Sequence, residues 1–383
     1  MFLKKLLTQN PQLADYALFC HKKGTLLPDT YLLDADAIRD NAELILREAD
    51  KYNIKLYFML KQIGRIAGIG KILCDIGYQG AVCVDFREAL SMIERNIPVG
   101  HAGHLGQIPT AALERVLDSK PGIITVYSVE KAKLIGEFCL RRGYVQDVML
   151  RVFGDETDLY PGQHGGFRTD ELEHVAKQIE ELPGVRIAGV CSFPCIQFNT
   201  DLNLFEPTPN LFSVNQAAEI LRKRGHGSLQ INLPSCTCVN SMGLIAQYGA
   251  THAEPGHGLT GTTPYHAHND SGTERIAVAY LSEVSHNLGN KGYCYGGGWY
   301  RRSGLTNALV GGTVETAEIV RAFGPPPESI DYYLELDSSA RIGSPVLMSF
   351  RTQIFVTRSK VAVIRGLSDG RPEITGIYSA LGE

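Results

Sequence analysis

Apolar and polar positions along this chain follow two different periods in two different stretches. Short apolar runs recur at Lys55–Leu60, Ala81–Val84, Val99–Gly103, Ile123–Tyr127, Val148–Val152, Arg186–Cys191, Leu229–Leu233 and Thr251–Ala253. Runs of this length, bounded by turn-forming residues, read as buried strands. Between them, Phe86–Glu94, Val129–Arg142 and Thr169–Leu182 carry apolar residues three and four apart with polar residues on the opposite face, which is the period of a helix lying on a sheet. The alternation predicts an α/β fold: eight parallel strands closed by helices into a (β/α)8, or TIM, barrel.

Ahead of the barrel, Ala35–Tyr52 places Ile38, Ala42, Ile45 and Ala49 on one stripe behind an N-cap at Asp34, predicting a leading helix. After about residue 270 the pattern becomes period two, as in Arg275–Tyr280 and Thr352–Thr357, broken by turns such as Gly324–Pro327. A second, β-rich domain is therefore expected. The domain reading is a barrel over 30–268 and a β-rich domain built from 1–29 together with 269–383.

With 383 residues the chain has room for two or three domains at roughly 100–200 residues each. Hydrophobic residues make up 44% and charged residues 20%, the proportions of a globular protein. Lys+Arg 37 against Asp+Glu 41 leaves a net charge of −4, so the basic excess that attracts nucleic acid is absent. The N-terminal MFLKKLLTQNPQ is interrupted by Lys4 and Lys5 and reads neither as a signal peptide nor as a membrane span. Nine scattered cysteines without a CxxC pair argue against a disulfide framework, and the expected location is the cytoplasm.

Barrel enzymes carry their chemistry at the C-terminal ends of strands. Lys61 ends the largely apolar run from Lys55, where desolvation would free its amine as a nucleophile; a strand-end lysine reaching solvent has the same sequence. Ala253–Gly261 follows the eighth strand with three glycines, Gly256, Gly258 and Gly261, which fits either an anion cradle of backbone N–H groups or a tight turn. Ser235 after the seventh strand offers a hydroxyl to the same cup or a helix cap. In Gly292–Arg302, glycines, tyrosines and the single tryptophan crowd together, as a site would or as a packed hairpin would. His101, His104, His252, His257, His266 and His268 raise a metal hydrolase, but without a strand-borne set carrying acidic partners they read as solvent-facing loop residues.

A barrel-mouth lysine, a glycine loop after strand eight and an aromatic-glycine loop in a trailing β domain together resemble the alanine racemase-like, fold type III enzymes that use pyridoxal 5'-phosphate. The resemblance runs from about Pro28 to the β domain. It implies that Lys61 carries the cofactor and that Arg65 stands where alanine racemases have a phosphate-touching tyrosine. It further implies that Ser235 and the backbone of Gly256 and His257 hold the phosphate, and that Arg151 flanks the cofactor hydroxyl. Tyr295 matches the catalytic tyrosine contributed across a homodimer interface. At the pyridine nitrogen the racemases have an arginine, whereas this chain has Glu254, as related decarboxylases do; a carboxylate stabilises a protonated ring. Phe193 stands where many relatives have a ring-side histidine. The implied activity is racemisation of an amino acid, with Lys61 and Tyr295 moving protons on opposite faces of Cα. A decarboxylase or aldolase, favoured by Glu254, is the alternative among enzymes. A non-catalytic pyridoxal-phosphate carrier is suggested by His104-Leu-Gly-Gln, though such carriers lack the trailing β domain.

Overall fold

The computed structural model describes residues 2–383. Eight parallel strands form the barrel, and we number them β1 (Lys55–Leu56), β2 (Ala81–Cys83), β3 (Val99–Ala102), β4 (Ile123–Val126), β5 (Gln146–Phe153), β6 (Val185–Cys191), β7 (Gln230–Asn232) and β8 (His252–Ala253). Each pairs with the next from β2 to β8, except for the junction with β1. There β1 pairs with β8, and a parallel bridge from Phe58 to Ala81 closes the ring. All eight apolar runs of the sequence are thus barrel strands.

The helices between them bury the stripes that their period predicted. Phe86–Glu94 starts where the Asp85 side chain accepts from the Glu88 N–H, and it buries Ala89 and Met92. Val129–Arg141 starts on Ser128 in the same way and buries Ala132, Ile135 and Phe138. Leu172–Glu180 buries Leu172, Val175, Ala176 and Ile179. Inside the barrel, Ile123, Met149, Ala188 and Cys191 pack into one apolar layer. Gly189 is required there, because a Cβ would lie 2.7 Å from the Gln230 carbonyl oxygen of the adjacent strand.

The chain divides into two compact units. The barrel strands lie in the unit formed by Ile45–Met59 and Gly70–Pro255, and the other unit comprises the chain up to Leu44, Leu60–Ile69 and Gly256–Glu383. This second unit holds a nine-stranded, mostly antiparallel sheet. Thr30–Asp34, which falls in the segment 30–268 read from sequence as barrel, is a strand of this sheet: it pairs antiparallel with Val278–Leu288 and parallel with Lys360–Arg365. The leading helix Ala35–Asp50 follows it directly, with Asp34 Oδ1 accepting from the N–H groups of Asp36 and Ala37 at 3.1 and 3.0 Å. Two helices that the pattern did not mark, Phe2–Gln9 and Pro11–Lys23, cover one face of the sheet through Leu3, Leu6, Leu13 and Leu18 against Leu32, Leu281 and Leu347. Thr352–Thr357, expected as a strand from its alternation, instead contains a 3-10 turn at Ile354–Val356. No helix among the described residues is long and apolar enough to cross a membrane.

Candidate active site

In the barrel unit, five strands send polar side chains to one buried cluster around Glu254, the residue after β8. His101 of β3 donates from Nδ1 to Glu254 Oε1 at 2.6 Å, and its Nε2 lies 2.6 Å from Thr125 Oγ1 of β4. Thr125 Oγ1 is 3.7 Å from Cys191 Sγ at the end of β6, which is 3.7 Å from His104 Nδ1. His104 Nε2 stands 3.9 Å from Glu254 Oε2, so the five side chains form a ring. Asn232 of β7 donates a further bond to Glu254 Oε1. Burial alone would push the Glu254 carboxyl up, but the charges of His101 and His104, with hydrogen bonds from His101 and Asn232, hold it at about 2. One carboxylate oxygen is thereby saturated, while the buried Oε2 has no hydrogen-bond partner among the described residues.

The same unit carries a second cluster on β5. Arg151, fully buried, donates to the Tyr127 hydroxyl and to the Gln163 carbonyl oxygen at 2.7 Å, with its guanidinium 4.9 Å above the Tyr127 ring. Tyr127 in turn donates to the His104 carbonyl oxygen at 2.5 Å, linking the two clusters. Gly165 and Gly166 let the 163–167 loop close on this pair, since Cβ atoms would lie 2.5 Å from the Tyr127 ring and 2.6 Å from the Arg151 carbonyl oxygen. Beyond β7, Ser235 and Cys236 hold left-handed backbone, φ 109° and 51°, a conformation that costs L-residues about 1–3 kcal/mol and gathers at binding sites. The Ser235 hydroxyl is bonded to the Ile196 backbone, whereas the buried Thr237 Oγ1 beside it has no partner among the described residues.

Lys61 belongs to the other unit and does not end a regular strand: it opens a 3-10 turn, Lys61–Ile63, and is half-buried. The turn is tied by bonds from the Ile63 and Arg65 N–H groups to the Leu60 carbonyl oxygen, both 3.0 Å, with Gly64 and Arg65 at positive φ. Arg65 is buried, its guanidinium 4.9 Å over the Phe355 ring. Gln62 lies so close to Gly256 that a Cβ there would be 2.3 Å from its Nε2, and Thr352 donates to the Gln62 carbonyl oxygen at 2.7 Å. His257 is buried, and burial, reinforced by the charges of Arg351 and Lys61, holds its imidazole neutral. Its ring nitrogens face Thr262 Oγ1 at 3.3 Å and Gln353 Nε2 at 3.4 Å.

Tyr295, also in this unit, is 37% exposed at the end of the strand Lys291–Tyr295. It lines a groove of about 790 Å³ with Tyr293, Phe323 and Tyr333. The glycines after it admit the protein's own groups. Cβ atoms on Gly296, Gly297 and Gly298 would lie 2.1 Å from the Asp331 carbonyl oxygen, 2.0 Å from the Asp29 carboxylate and 2.4 Å from the Tyr280 ring.

The solvent-facing reading of the six histidines is corrected. His101, His104, His252, His257 and His266 are buried and His268 alone of the six is exposed, because strand ends and the turn after β8 point these rings inward. His101 and His266 each pair with a buried glutamate, His266 Nε2 with Glu274 at 3.1 Å. No group of three or more His, Cys, Asp or Glu among the described residues is arranged to hold a metal.

A profile described as alanine racemase, N-terminal domain, matches residues 33–264. The chain belongs to the alanine racemase family. Within that family its C-terminal part, residues 279–374, matches a profile described as YhfX-like, C-terminal domain. Over its whole length it is 41% identical to "Uncharacterized protein YhfX" of Escherichia coli (strain K12), covering 99% of that protein. The alanine racemase-like fold extends to solved structures. A D-threonine aldolase from Filomicrobium marinum superposes at TM-score 0.67 and 15% identity, with 92% of this chain and 94% of that one covered. An alanine racemase of Clostridium difficile 630 in complex with cycloserine gives 0.65 and 15%, covering 93% and 99%. A D-threo-3-hydroxyaspartate dehydratase from Delftia sp. HT23 gives 0.63 and 15%, covering 91% and 97%. At these identities the likeness is one of fold, and the fold is shared by a racemase, an aldolase and a dehydratase.

A cofactor with a ring nitrogen and a phosphate fits the residues of this family member. Glu254 presents one ionised, unbonded oxygen, and the strained Ser235–Cys236 backbone lies beside the unpartnered Thr237 hydroxyl. Asn232, Thr125 and Thr237 were not singled out from the sequence, and His101 and His104 were weighed there only as metal ligands, His104 also within a carrier-like segment. The signal for a place beside Glu254 was only a position at or just beyond a strand end, which many residues share.

Proposed function

We propose that this protein is a pyridoxal-phosphate-dependent amino-acid racemase, a cytoplasmic homodimer. The observation that carries the cofactor reading is Glu254: a buried carboxylate held ionised, with Oε1 fixed by His101 and Asn232 and Oε2 left for a protonated ring nitrogen. Pyridoxal phosphate, when bound, supplies a conjugated ring that accepts the electron pair left on an amino acid's Cα. Lys61 would bind it through Nζ. Arg65, Ser235 and the backbone N–H groups of Gly256 and His257 would hold the phosphate, and Arg151 would flank the ring hydroxyl. Lys61 and the Tyr295 hydroxyl, the latter contributed across the dimer, would remove and return the Cα proton on opposite faces.

Glu254 favours a second reading, decarboxylase or aldolase, because a carboxylate at the ring nitrogen supports deeper charge withdrawal than an arginine does. The test is a visible absorption spectrum of the purified protein before and after borohydride, with the modified lysine located by peptide mass spectrometry, followed by chiral and product analysis over pooled amino acids. Label on Lys61, lost in Lys61→Ala, is expected. Label on another lysine sinks the assignment, and products of changed mass replace racemisation with the second reading.

A further inference from the structure

Glu254 is surrounded by titratable groups from several elements, and most of them are uncharged at neutral pH. Tyr57, after β1, is pushed well up by burial and by Glu254 itself. Cys191 is pushed up to about 12 and Cys195 is pushed well up, both chiefly by burial. His252 of β8 is pushed down to about 4 by burial and the charge of Lys55. The groups that oppose the burial of the Glu254 charge are therefore His101 and His104, with the Asn232 amide adding a neutral bond. Of the two imidazoles, His101 makes the hydrogen bond, 2.6 Å against 3.9 Å for His104. It is also braced from behind, since Thr125 Oγ1 meets its other nitrogen at 2.6 Å and fixes the ring plane.

We propose that His101 is a positioning residue: its Nδ1–H, braced through Thr125, keeps Glu254 ionised and turns Oε2 to the group the carboxylate serves. This rests on the proposed function for what Oε2 serves, but not for the coupling itself. A buried carboxylate without its opposite charge takes up a proton rather than remain ionised. A protonated Glu254 would have no charge to offer a ring nitrogen, so His101 would decide how strongly the site withdraws electrons without touching the cofactor. Asn232, being uncharged, can hold Oε1 in place but cannot hold its charge.

The readout is the ionisation of Glu254 in the cofactor-free protein, followed by infrared spectroscopy, with the Glu254 carboxyl band identified by its loss in Glu254→Gln. In the wild type no protonated band is expected at pH 4. His101→Phe is expected to move the Glu254 midpoint up by about one to three pH units, the usual effect of losing a neighbouring opposite charge, so that the protonated band appears at pH 4. His101→Asn, whose Nδ2 reproduces the lost donor, is expected to lower that midpoint again relative to His101→Phe while leaving it above the wild type. Circular dichroism of each variant verifies the fold, and Thr125→Val gives a milder form of the same shift if His101→Phe does not fold. A Glu254 midpoint that does not rise in His101→Phe, or in Thr125→Val where that variant stands in, overturns the proposal, and so does a Glu254 already protonated in the wild type at pH 4. Absence of borohydride-fixed cofactor on Lys61 would instead overturn the proposed function, leaving these midpoints to be read on their own.

Discussion

The Glu254 carboxylate is held at about 2 against an ordinary 4.5, a difference of about 2.5 units, and at about 1.4 kcal/mol per unit this is about 3 kcal/mol of folding stability. Because the folded value is the depressed one, this contribution is complete above pH 4.5 and is lost as the pH falls toward 2. About 2 kcal/mol of it is gone by pH 3. Glu254→Gln removes the titrating group while keeping an oxygen that can accept from His101. Chemical unfolding of both proteins at intervals from pH 7 to pH 3 checks this. The wild type is expected to lose stability relative to the variant over that range by about 2 kcal/mol, most of it below pH 4.5. The absolute stability of the variant does not enter, since only the change in the difference is read. A difference independent of pH would refute the ionised, compensated carboxylate, and with it the main support for a ring-nitrogen partner.

Asp29 gives the opposite sign: burial raises its carboxyl to about 6, partly offset by hydrogen bonds from Ser359 and Tyr280. Its raised folded value means that stability falls as pH rises from 4 through 6, by about 1 kcal/mol after allowance for screening of a partly exposed group. Thermal melts at pH 4.5 and 7 should show this slope in the wild type and lose it in Asp29→Asn; an unchanged slope would contradict the burial. Composite sites predict that mixing Lys61→Ala with Tyr295→Phe chains restores about a quarter of wild-type activity, since about half of the dimers are mixed and each carries one intact site. A fully active monomer in sedimentation would exclude the arrangement.

The barrel was legible in the sequence because its strands are short apolar runs, most of whose residues are buried whichever face they point to, and its helices carry one apolar stripe. All eight strands and the three helices read between them, of the seven that the structure shows, stand where period alone put them. The N-terminal helices escaped the same reading because Phe2–Gln9 and Pro11–Lys23 bury their stripes on a sheet assembled from the other end of the chain. Thr30–Asp34 looks like a lead-in to the barrel but pairs with strands some 250 and 330 residues away, as the register of Leu32 with Ala279 and Ala362 records. Period tells which face of a segment is buried and says nothing about what buries it.

For the site, the sequence determined which residue types stand at the strand ends: Glu254 after β8, Arg151 in β5, glycines after Tyr295. What those side chains meet was decided by tertiary structure. The glycines of Gly296–Gly298 turned out to admit Asp29, Asp331 and Tyr280. His101 and Glu254 are 153 residues apart, and only barrel closure brings them to 2.6 Å. Burial then converts that contact from a surface pair of little consequence into one that sets a charge, because low dielectric makes an uncompensated carboxylate costly. A lone histidine in a list of eleven carries no mark of this. Its role comes from the depth at which β3 places it and from the carboxylate that β8 delivers beside it.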